Sequence, residues 1–127
     1  MAAGEAWPGF RGGGSSQSAA AGLPVEWSET RNLAWKAAIP GYGQSSPVVW
    51  GGQVFVTSVE GPKKETLIVS AFDLETGALA WSRRRASSSP AEAHERMAKA
   101  APTPAVDADG LYVFFESGDL LAFAHDG

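Results

Sequence analysis

The sequence predicts an all-β fold built from a repeated four-stranded unit, and three observations lead to this prediction. The tripeptide Leu-Ala-Trp occurs twice, at 33–35 and 79–81. Each copy is followed by a Ser/Thr-Pro-x-Val start, at 46–49 and 103–106. The two tryptophans stand 46 positions apart. This spacing is within the roughly 40–50 residues of a four-stranded propeller blade.

Short strands are predicted in close succession from residue 33 onward, because apolar runs alternate there with Gly, Pro and Asp. Continuous apolar runs such as 54–56 and 67–69 indicate strands that are covered on both faces of the sheet. Gly51-Gly52 suits a two-residue hairpin, and the stretch from Asp73 to Gly77 suits a longer turn. The predicted strands are 33–37, 46–50, 53–59, 66–73, 78–83, 103–107, 111–116 and 119–124.

The repeat divides the chain into five segments. Trp35 stands 12 residues before Pro47, whereas Trp81 stands 23 before Pro104, so the second connection contains an insertion. A capping-box sequence from Ser89 predicts a short helical turn at 90–100 within it. The segments are a flexible Gly/Ala/Ser-rich region (1–22, anchored only at 7–12), a propeller-closing strand and linker (23–44), blade one (45–83), the insertion (84–102) and an incomplete blade two (103–127).

Composition and charge exclude several classes of function. The chain has 127 residues, of which 44% are hydrophobic and 19% charged, an ordinary balance for a globular domain. The net charge of -4 argues against nucleic-acid binding, which needs a positive field. The absence of cysteine excludes disulfides and thiolate metal sites. The sequence has no apolar run long enough to be a transmembrane segment, and its N-terminus lacks signal-peptide features.

With these residues in place, the chain resembles the PQQ-binding-like (quinoprotein-like, BamB-like) family of β-propeller repeats. The matching stretches include 7–12, 46–49 and 71–77, and the Asp-x-x-x-Gly-x-x-x-Trp pattern is typical of the blade. The resemblance implies that the strand holding Trp35 closes the ring as the outermost strand of the last blade. It also implies an export destination such as the periplasm. The residues of the structural blade motif are Trp35, Pro47, Asp73, Gly77, Trp81 and Pro104.

A propeller needs at least four blades, and this chain supplies fewer than two. We therefore expect an N-terminal fragment of about two blades. Its bare sheet faces and strand edges should make it self-associate or require the remaining blades.

Blade topology separates the loops into two faces of unlike charge. One face, here called the insertion face, carries every basic residue after position 44, together with six acidic ones; the opposite face carries five acidic residues and no basic one. We expect the insertion face to contact an acidic partner or ligand, although charge runs usually form only a solvated rim. The possible partner-contact residues are Lys63, Lys64, Arg83, Arg84, Arg85, His94, Arg96 and Lys99.

Two functions are consistent with these features of the sequence. The first is a non-catalytic binding scaffold for a protein or small ligand. The alternative is the N-terminal part of a PQQ-dependent quinoprotein dehydrogenase, with calcium and the quinone in the central channel. No catalytic residue or metal cluster is predicted, because the sequence has no nucleophile elbow and no closely spaced His and carboxylate ligands. Asn32 is the only asparagine and no cysteine is present, which favours binding over catalysis and leaves no evident cofactor.

Overall fold

The computed structural model describes residues 6–92, 94 and 96–127. The described chain is all-β, as predicted: seven strands form two antiparallel sheets, and no helix is present among these residues. Sheet one has the order β1 (Val48–Trp50), β2 (Gln53–Glu60), β3 (Thr66–Asp73) and β4 (Leu79–Ala86). Sheet two has the order β5 (Ala105–Val106), β6 (Leu111–Phe114) and β7 (Leu120–Phe123).

The centre of sheet one is formed by β2 and β3, whose six inner residues are all buried in each strand. Gly51 and Gly52 have φ of 56° and 78°, which the two-residue hairpin between β1 and β2 requires. The pairing of β3 with β4 shifts register between Ala71 and Phe72. Continuous apolar runs therefore formed strands that are buried on both faces, as their pattern predicted.

The hydrophobic core lies between the two sheets. Side chains alternate along a strand. One face of sheet one, including Phe55 and Val69, thus packs against Leu111 and Val113 of sheet two, with each of these residues at most 1% exposed. Trp81 belongs to the same cluster.

The outward faces of the two sheets differ. On sheet one, Val56 and Ile68 point away from the core yet remain at most 9% exposed. Ile39 and Val56 line one half-open cavity of about 310 Å³ there. On sheet two, the outward face is bare: Phe114 is 45% exposed and Leu120 is 72% exposed. The expectation of an uncovered apolar blade face holds for sheet two.

The inner edges of both sheets are joined by the N-terminal segment. Trp7 exchanges two backbone hydrogen bonds of 2.9 Å with Val49 of β1. The next residue, Pro8, accepts a hydrogen bond of 2.9 Å at its carbonyl oxygen from the backbone N–H of Val106 in β5. The segment therefore bridges β1 and β5 at the place where the sequence predicts an anchor.

One predicted strand is absent: the structure has a strand near seven of the eight predicted places but none at 33–37. Trp35 and Ala37 are partly buried while Ala34, Lys36 and Ala38 are exposed, so the side chains alternate as in a strand. No backbone hydrogen bond joins 33–39 to another described residue, however. A strand needs a neighbouring strand, and none is provided here.

The described residues of the 90–100 segment, where the sequence predicts a short helical turn, form no helix; residues 93 and 95 lie outside them. One turn forms, closed by a 2.8 Å hydrogen bond from the Met97 N–H to the His94 carbonyl. Other backbone groups bond elsewhere, as when Ala91 donates to the carbonyl of Lys63. Ala98 and Ala100 are buried in the core. Tertiary contacts outweigh the local helix propensity of this segment.

Candidate functional site

The two repeated tryptophans occupy equivalent places. Each place is here called a corner, meaning the point where the indole meets a turn of the following sheet. The Trp35 indole Nε1 donates to the carbonyl of Leu74 at 2.9 Å, and the Trp81 Nε1 donates to the carbonyl of His125 at 2.8 Å. Each carbonyl lies in the turn that follows the third strand of a sheet. Each tryptophan thus fixes one turn of the next sheet.

A glycine lies against each indole. A Cβ atom on Gly77 would stand 2.5 Å from the Trp35 ring, and one on Gly127 would stand 2.9 Å from the Trp81 ring. Both glycines also have positive φ, at 71° and 89°. Since only glycine combines this backbone with the absence of a side chain, it is the residue that the corner requires.

Asp73 organises the turn of the first corner. Its Oδ1 accepts hydrogen bonds from the Thr76 hydroxyl at 2.7 Å, the Thr76 N–H at 2.8 Å and the Glu75 N–H at 3.1 Å. These donors, led by the Thr76 hydroxyl, hold the pKa of Asp73 below its ordinary value. The carboxylate therefore acts as part of the turn.

The two prolines of the blade motif differ in burial, since Pro104 is buried and Pro47 is exposed. Pro104 precedes β5, the first strand of sheet two, while Pro47 borders the half-open cavity. Equivalent positions of the repeat thus meet different surroundings.

The insertion is fastened to sheet one at its first half. The Ser87 N–H donates to the carbonyl of Glu65 at 2.8 Å, and the Ala91 N–H donates to the carbonyl of Lys63 at 3.0 Å. Both acceptors lie in or beside the β2–β3 hairpin.

The insertion is also fastened to sheet two. The Ser88 N–H donates to Oδ2 of Asp119 at 3.1 Å, and the Glu116 N–H donates to the carbonyl of Lys99 at 3.1 Å. The Ser117 hydroxyl donates to the same Oδ2 atom at 2.6 Å. This hydroxyl, more than the Ser88 N–H, lowers the pKa of Asp119. The insertion thus spans the gap between the sheets.

Gln44 clamps the last part of the insertion from a third direction. Its side-chain Nε2 donates to the carbonyl of Arg96 at 3.0 Å, and its Oε1 accepts from the Ala98 N–H at 3.2 Å. Its own backbone N–H donates to the carbonyl of Ala100 at 3.2 Å. Sequence reasoning missed Gln44, because its partners lie more than fifty positions away and no local pattern marks it.

Two of the expected partner-contact residues are occupied by internal contacts. The Arg83 Nε donates to the carbonyl of Gly127 at 2.8 Å, and its guanidinium carbon lies 5.6 Å from the centre of the Trp81 ring. Arg84 forms an ion pair with Glu60, which raises the pKa of Arg84 and lowers that of Glu60. Arg83 is partly buried, whereas the Arg84 side chain stays exposed and its charge is balanced by Glu60.

The other expected residues of the insertion face divide by exposure. Lys63, Arg85, His94 and Arg96 are exposed, and Lys64 and Lys99 are partly buried. The exposed four lie on the β2–β3 hairpin, the end of β4 and the insertion. Met97 adds an apolar side chain that is 53% exposed.

The opposite face contains His125, which connects two elements. Its Nε2 lies 2.8 Å from the carbonyl oxygen of Asp107, and its ring stacks on Trp50 with ring centres 6.4 Å apart. Within residues 6–92, 94 and 96–127, no three His, Cys, Asp or Glu side chains are arranged to hold a metal ion. No helix in this part of the chain has the length and apolarity needed to cross a membrane.

Comparison with protein families gives a match over nearly the whole chain. The family described as outer membrane protein assembly factor BamB matches residues 4–127, nearly the whole chain. No curated protein matches the sequence.

Proposed function

Because this chain belongs to the family of the outer membrane protein assembly factor BamB, we propose that it is a non-catalytic propeller-repeat module that binds a protein partner through its insertion face. The family and the two blade-like sheets establish a repeat module. The partner-binding role is the further step, and the architecture of the insertion supports it.

The supporting observation is that hydrogen bonds hold the insertion in place while several of its side chains remain exposed to solvent. Hydrogen bonds with Glu65, Asp119 and Gln44 hold the insertion against both sheets. Arg85 and Arg96 nevertheless remain exposed, and so does Met97. A prearranged surface loses little conformational entropy on binding, so such connections commonly carry recognition.

The chemistry of this surface indicates the class of partner. Exposed guanidinium and ammonium groups attract carboxylates, and the flexible Met97 side chain adapts to an apolar residue. We therefore expect a protein segment in which acidic and apolar residues alternate. The opposite face would repel such a segment, because the loops assigned to it carry Asp73, Asp107 and Asp109 and no basic residue.

A labelled peptide of alternating Glu and Leu residues tests this proposal, by fluorescence anisotropy at low and high salt. We expect saturable binding that weakens with salt. The double variant Lys63→Ser/Arg85→Ser should bind about fivefold more weakly, since each exposed charge contributes roughly 0.5 kcal/mol.

The matched control is Arg31→Ser/Lys36→Ser, which removes the same charge from two bases that already pair with Glu26 and Glu29. This control should bind like the unmodified chain. Equal weakening in both double variants would show that only net charge matters, and the insertion face would then be a solvated rim. An absence of binding would also contradict the proposal.

The quinoprotein alternative needs oxygen ligands that converge on calcium. No such group of acidic side chains is found in the described part of the chain, and Trp7 and Pro8 cover the inner edges of both sheets. Titration of PQQ with calcium, read by absorbance, tests it separately. We expect no saturable spectral change, and a stoichiometric change would favour the alternative.

The family description also supports an exported location, since it names an assembly factor of the outer membrane. We propose periplasmic residence on this basis. Fractionation of cells that express the complete gene, with a periplasmic and a cytoplasmic marker enzyme, would test it.

A further inference from the structure

Met97 lies in a short turn of the insertion. A hydrogen bond of 2.8 Å from the Met97 N–H to the His94 carbonyl closes this turn, and the Arg96 N–H donates to Nδ1 of His94 at 3.3 Å. These bonds give the turn its shape, but they do not fix its direction relative to the two sheets. The direction of the Met97 side chain therefore depends on a contact from outside the turn.

Gln44 makes that contact through both polar atoms of its side chain. Its Nε2 donates to the carbonyl of Arg96 at 3.0 Å, and its Oε1 accepts from the Ala98 N–H at 3.2 Å. Arg96 and Ala98 are the two neighbours of Met97 in the chain. A glutamine amide has a donor and an acceptor side by side, so it can bond to both neighbours at once. The backbone is thus held immediately before and after Met97.

The rest of the insertion is held without the Gln44 side chain. The backbone N–H of Gln44 donates to the carbonyl of Ala100 at 3.2 Å, and the Ser46 N–H donates to Oγ1 of Thr103 at 3.2 Å. Ala98 and Ala100 are buried in the core. Gln44 itself is exposed, so its replacement leaves no cavity. Its side chain therefore controls the turn at Met97 without supporting the two sheets.

Met97 is the apolar element of the insertion face. Among the described residues of the insertion, 84–92, 94 and 96–102, it is the one large apolar side chain that is exposed, at 53%. Its exposed neighbours Arg85 and Arg96 are charged. A methionine thioether is polarisable and adapts to the shape of an apolar partner. Met97 is therefore the side chain through which this surface can distinguish an apolar residue from a polar one.

We infer that Gln44 is a positioning residue for recognition: by holding the backbone on both sides of Met97, it directs this side chain toward the apolar residues of the partner segment. The inference rests on the proposed partner binding and accounts for its specificity. The exposed bases attract the acidic residues of the segment, and Met97 selects the apolar residues between them. A loose turn would weaken this selection, since more conformational entropy would be lost on binding.

Two peptides and one matched pair of variants test this inference. The peptides have the same length and charge, one alternating Glu with Leu and the other Glu with Ser, and fluorescence anisotropy measures their dissociation constants. The ratio of the two constants reports apolar selection, because the charged contacts are common to both peptides. Gln44→Ala removes both side-chain bonds. Gln17→Ala is the control, since Gln17 is exposed and its hydrogen bond to Ser15 uses the backbone N–H.

The unmodified chain should prefer the Leu peptide about fivefold, because part of a leucine side chain is buried against Met97. Gln44→Ala should lower this preference to about twofold, since the turn is then no longer prearranged. Gln17→Ala should leave the preference unchanged. Adding Gln44→Ala to Met97→Ser should lower it no further than Met97→Ser does alone, because both changes act on the same contact.

Hydrogen exchange of the Ala98 N–H, followed by nuclear magnetic resonance, shows whether Gln44 acts through the backbone. This proton should exchange about fivefold faster in Gln44→Ala, because it loses its acceptor, and at an unchanged rate in Gln17→Ala. A lower Leu preference with unchanged exchange would mean that Gln44 contacts the partner directly, and the positioning role would be overturned.

The outcomes also separate this inference from the proposed function. If the unmodified chain bound neither peptide, partner binding and the inference would both be wrong. If it bound the two peptides equally well, or if Gln44→Ala kept the full Leu preference, the inference alone would be overturned, and binding through the exposed bases would stand. Equal effects of Gln44→Ala and Gln17→Ala would contradict the inference as well.

Discussion

The Trp35 and Trp81 corners share one docking geometry but differ in their surroundings. Both indoles donate to a turn carbonyl and rest on a glycine with positive φ. Trp81 is only 8% exposed and packs with Phe55 and Phe123, at 6.0 Å between ring centres in each case. Around Trp35, no aromatic ring pair forms among the described residues.

The difference between the two corners shows that a blade depends on two separate interactions. The docking bond depends on the local motif and forms at both corners. The strand that carries the tryptophan forms only where a neighbouring sheet provides hydrogen bonds, as β3 does for β4. The motif therefore determines the corner, and the adjacent sheet determines the strand.

Replacing each tryptophan with alanine should have the largest effect on stability, and the two losses should differ between the corners. Trp81→Ala should lower the free energy of unfolding by about 3–5 kcal/mol, because a large ring leaves a packed core. Trp35→Ala should lower it by about 1–2 kcal/mol, since the ring is only partly buried. Urea unfolding measures both values. Equal losses would show that the docking bond, and not the surrounding sheets, provides the stability.

A methyl group at the first corner should have the next largest effect. Gly77→Ala should cost about 2 kcal/mol, because the alanine has to adopt positive φ and its Cβ displaces the Trp35 ring. Gly51→Ala is the matched control: its φ is also positive, but nothing lies within 4 Å of the added Cβ. It should cost about 1 kcal/mol. Calorimetry of both variants checks the difference, and equal costs would argue against a close contact between Gly77 and the indole.

Two arginines of β4 provide a smaller test, because only the first of them contacts Trp81. Arg83→Ala should cost about 1 kcal/mol, since it removes a hydrogen bond to Gly127 and a cation above the Trp81 ring. Arg85→Ala should change stability by less than about 0.5 kcal/mol, because its side chain is exposed. Urea unfolding of the two variants is the measurement. If Arg85→Ala were the more destabilising, the division of the insertion face into internal and free charges would be wrong.

The smallest expected effect is on the loss of stability at low pH, to which the turn after β3 should contribute and the turn after β7 should not. The pKa of Asp73 is lowered in the folded chain, so its contribution to stability is present above the ordinary Asp value of about 4 and disappears as the pH falls through the lower folded value. Ala124 follows β7 at the corresponding place and has no carboxyl group. Asp73→Asn should therefore flatten the loss of stability with acid, which unfolding curves at several pH values measure. The remaining slope should come in part from Asp119, whose pKa is lowered as well. An unchanged slope in Asp73→Asn would contradict the assigned role.

The sequence predicted the fold better than the site. Glycine pairs, Asp turns and apolar runs are local signals, and the structure has a strand near seven of the eight places that they predict. The strand at 33–37 failed because strand formation also needs a partner that the local residues do not encode. No helix formed at 90–100, because Gln44, far along the chain, takes the Ala98 N–H and the Arg96 carbonyl, which a helix would use.

The predicted partner-contact residues illustrate the same limit. Charge and loop position group Arg83, Arg84 and Arg85 together in the sequence. Only the fold shows that Arg83 bonds to Gly127 and that Arg84 pairs with Glu60. Whether Arg85 and its exposed neighbours bind a partner remains a prediction.

The equivalence of the two corners is tested most directly by hydrogen exchange of the indole N–H protons, followed by nuclear magnetic resonance. Trp27 serves as the unprotected reference, because it is 73% exposed. The Trp35 and Trp81 protons should both exchange more slowly than that of Trp27, with Trp81 the slowest. If Trp35 exchanged as fast as Trp27 while Trp81 stayed protected, the two tryptophans would not mark equivalent corners of a repeat.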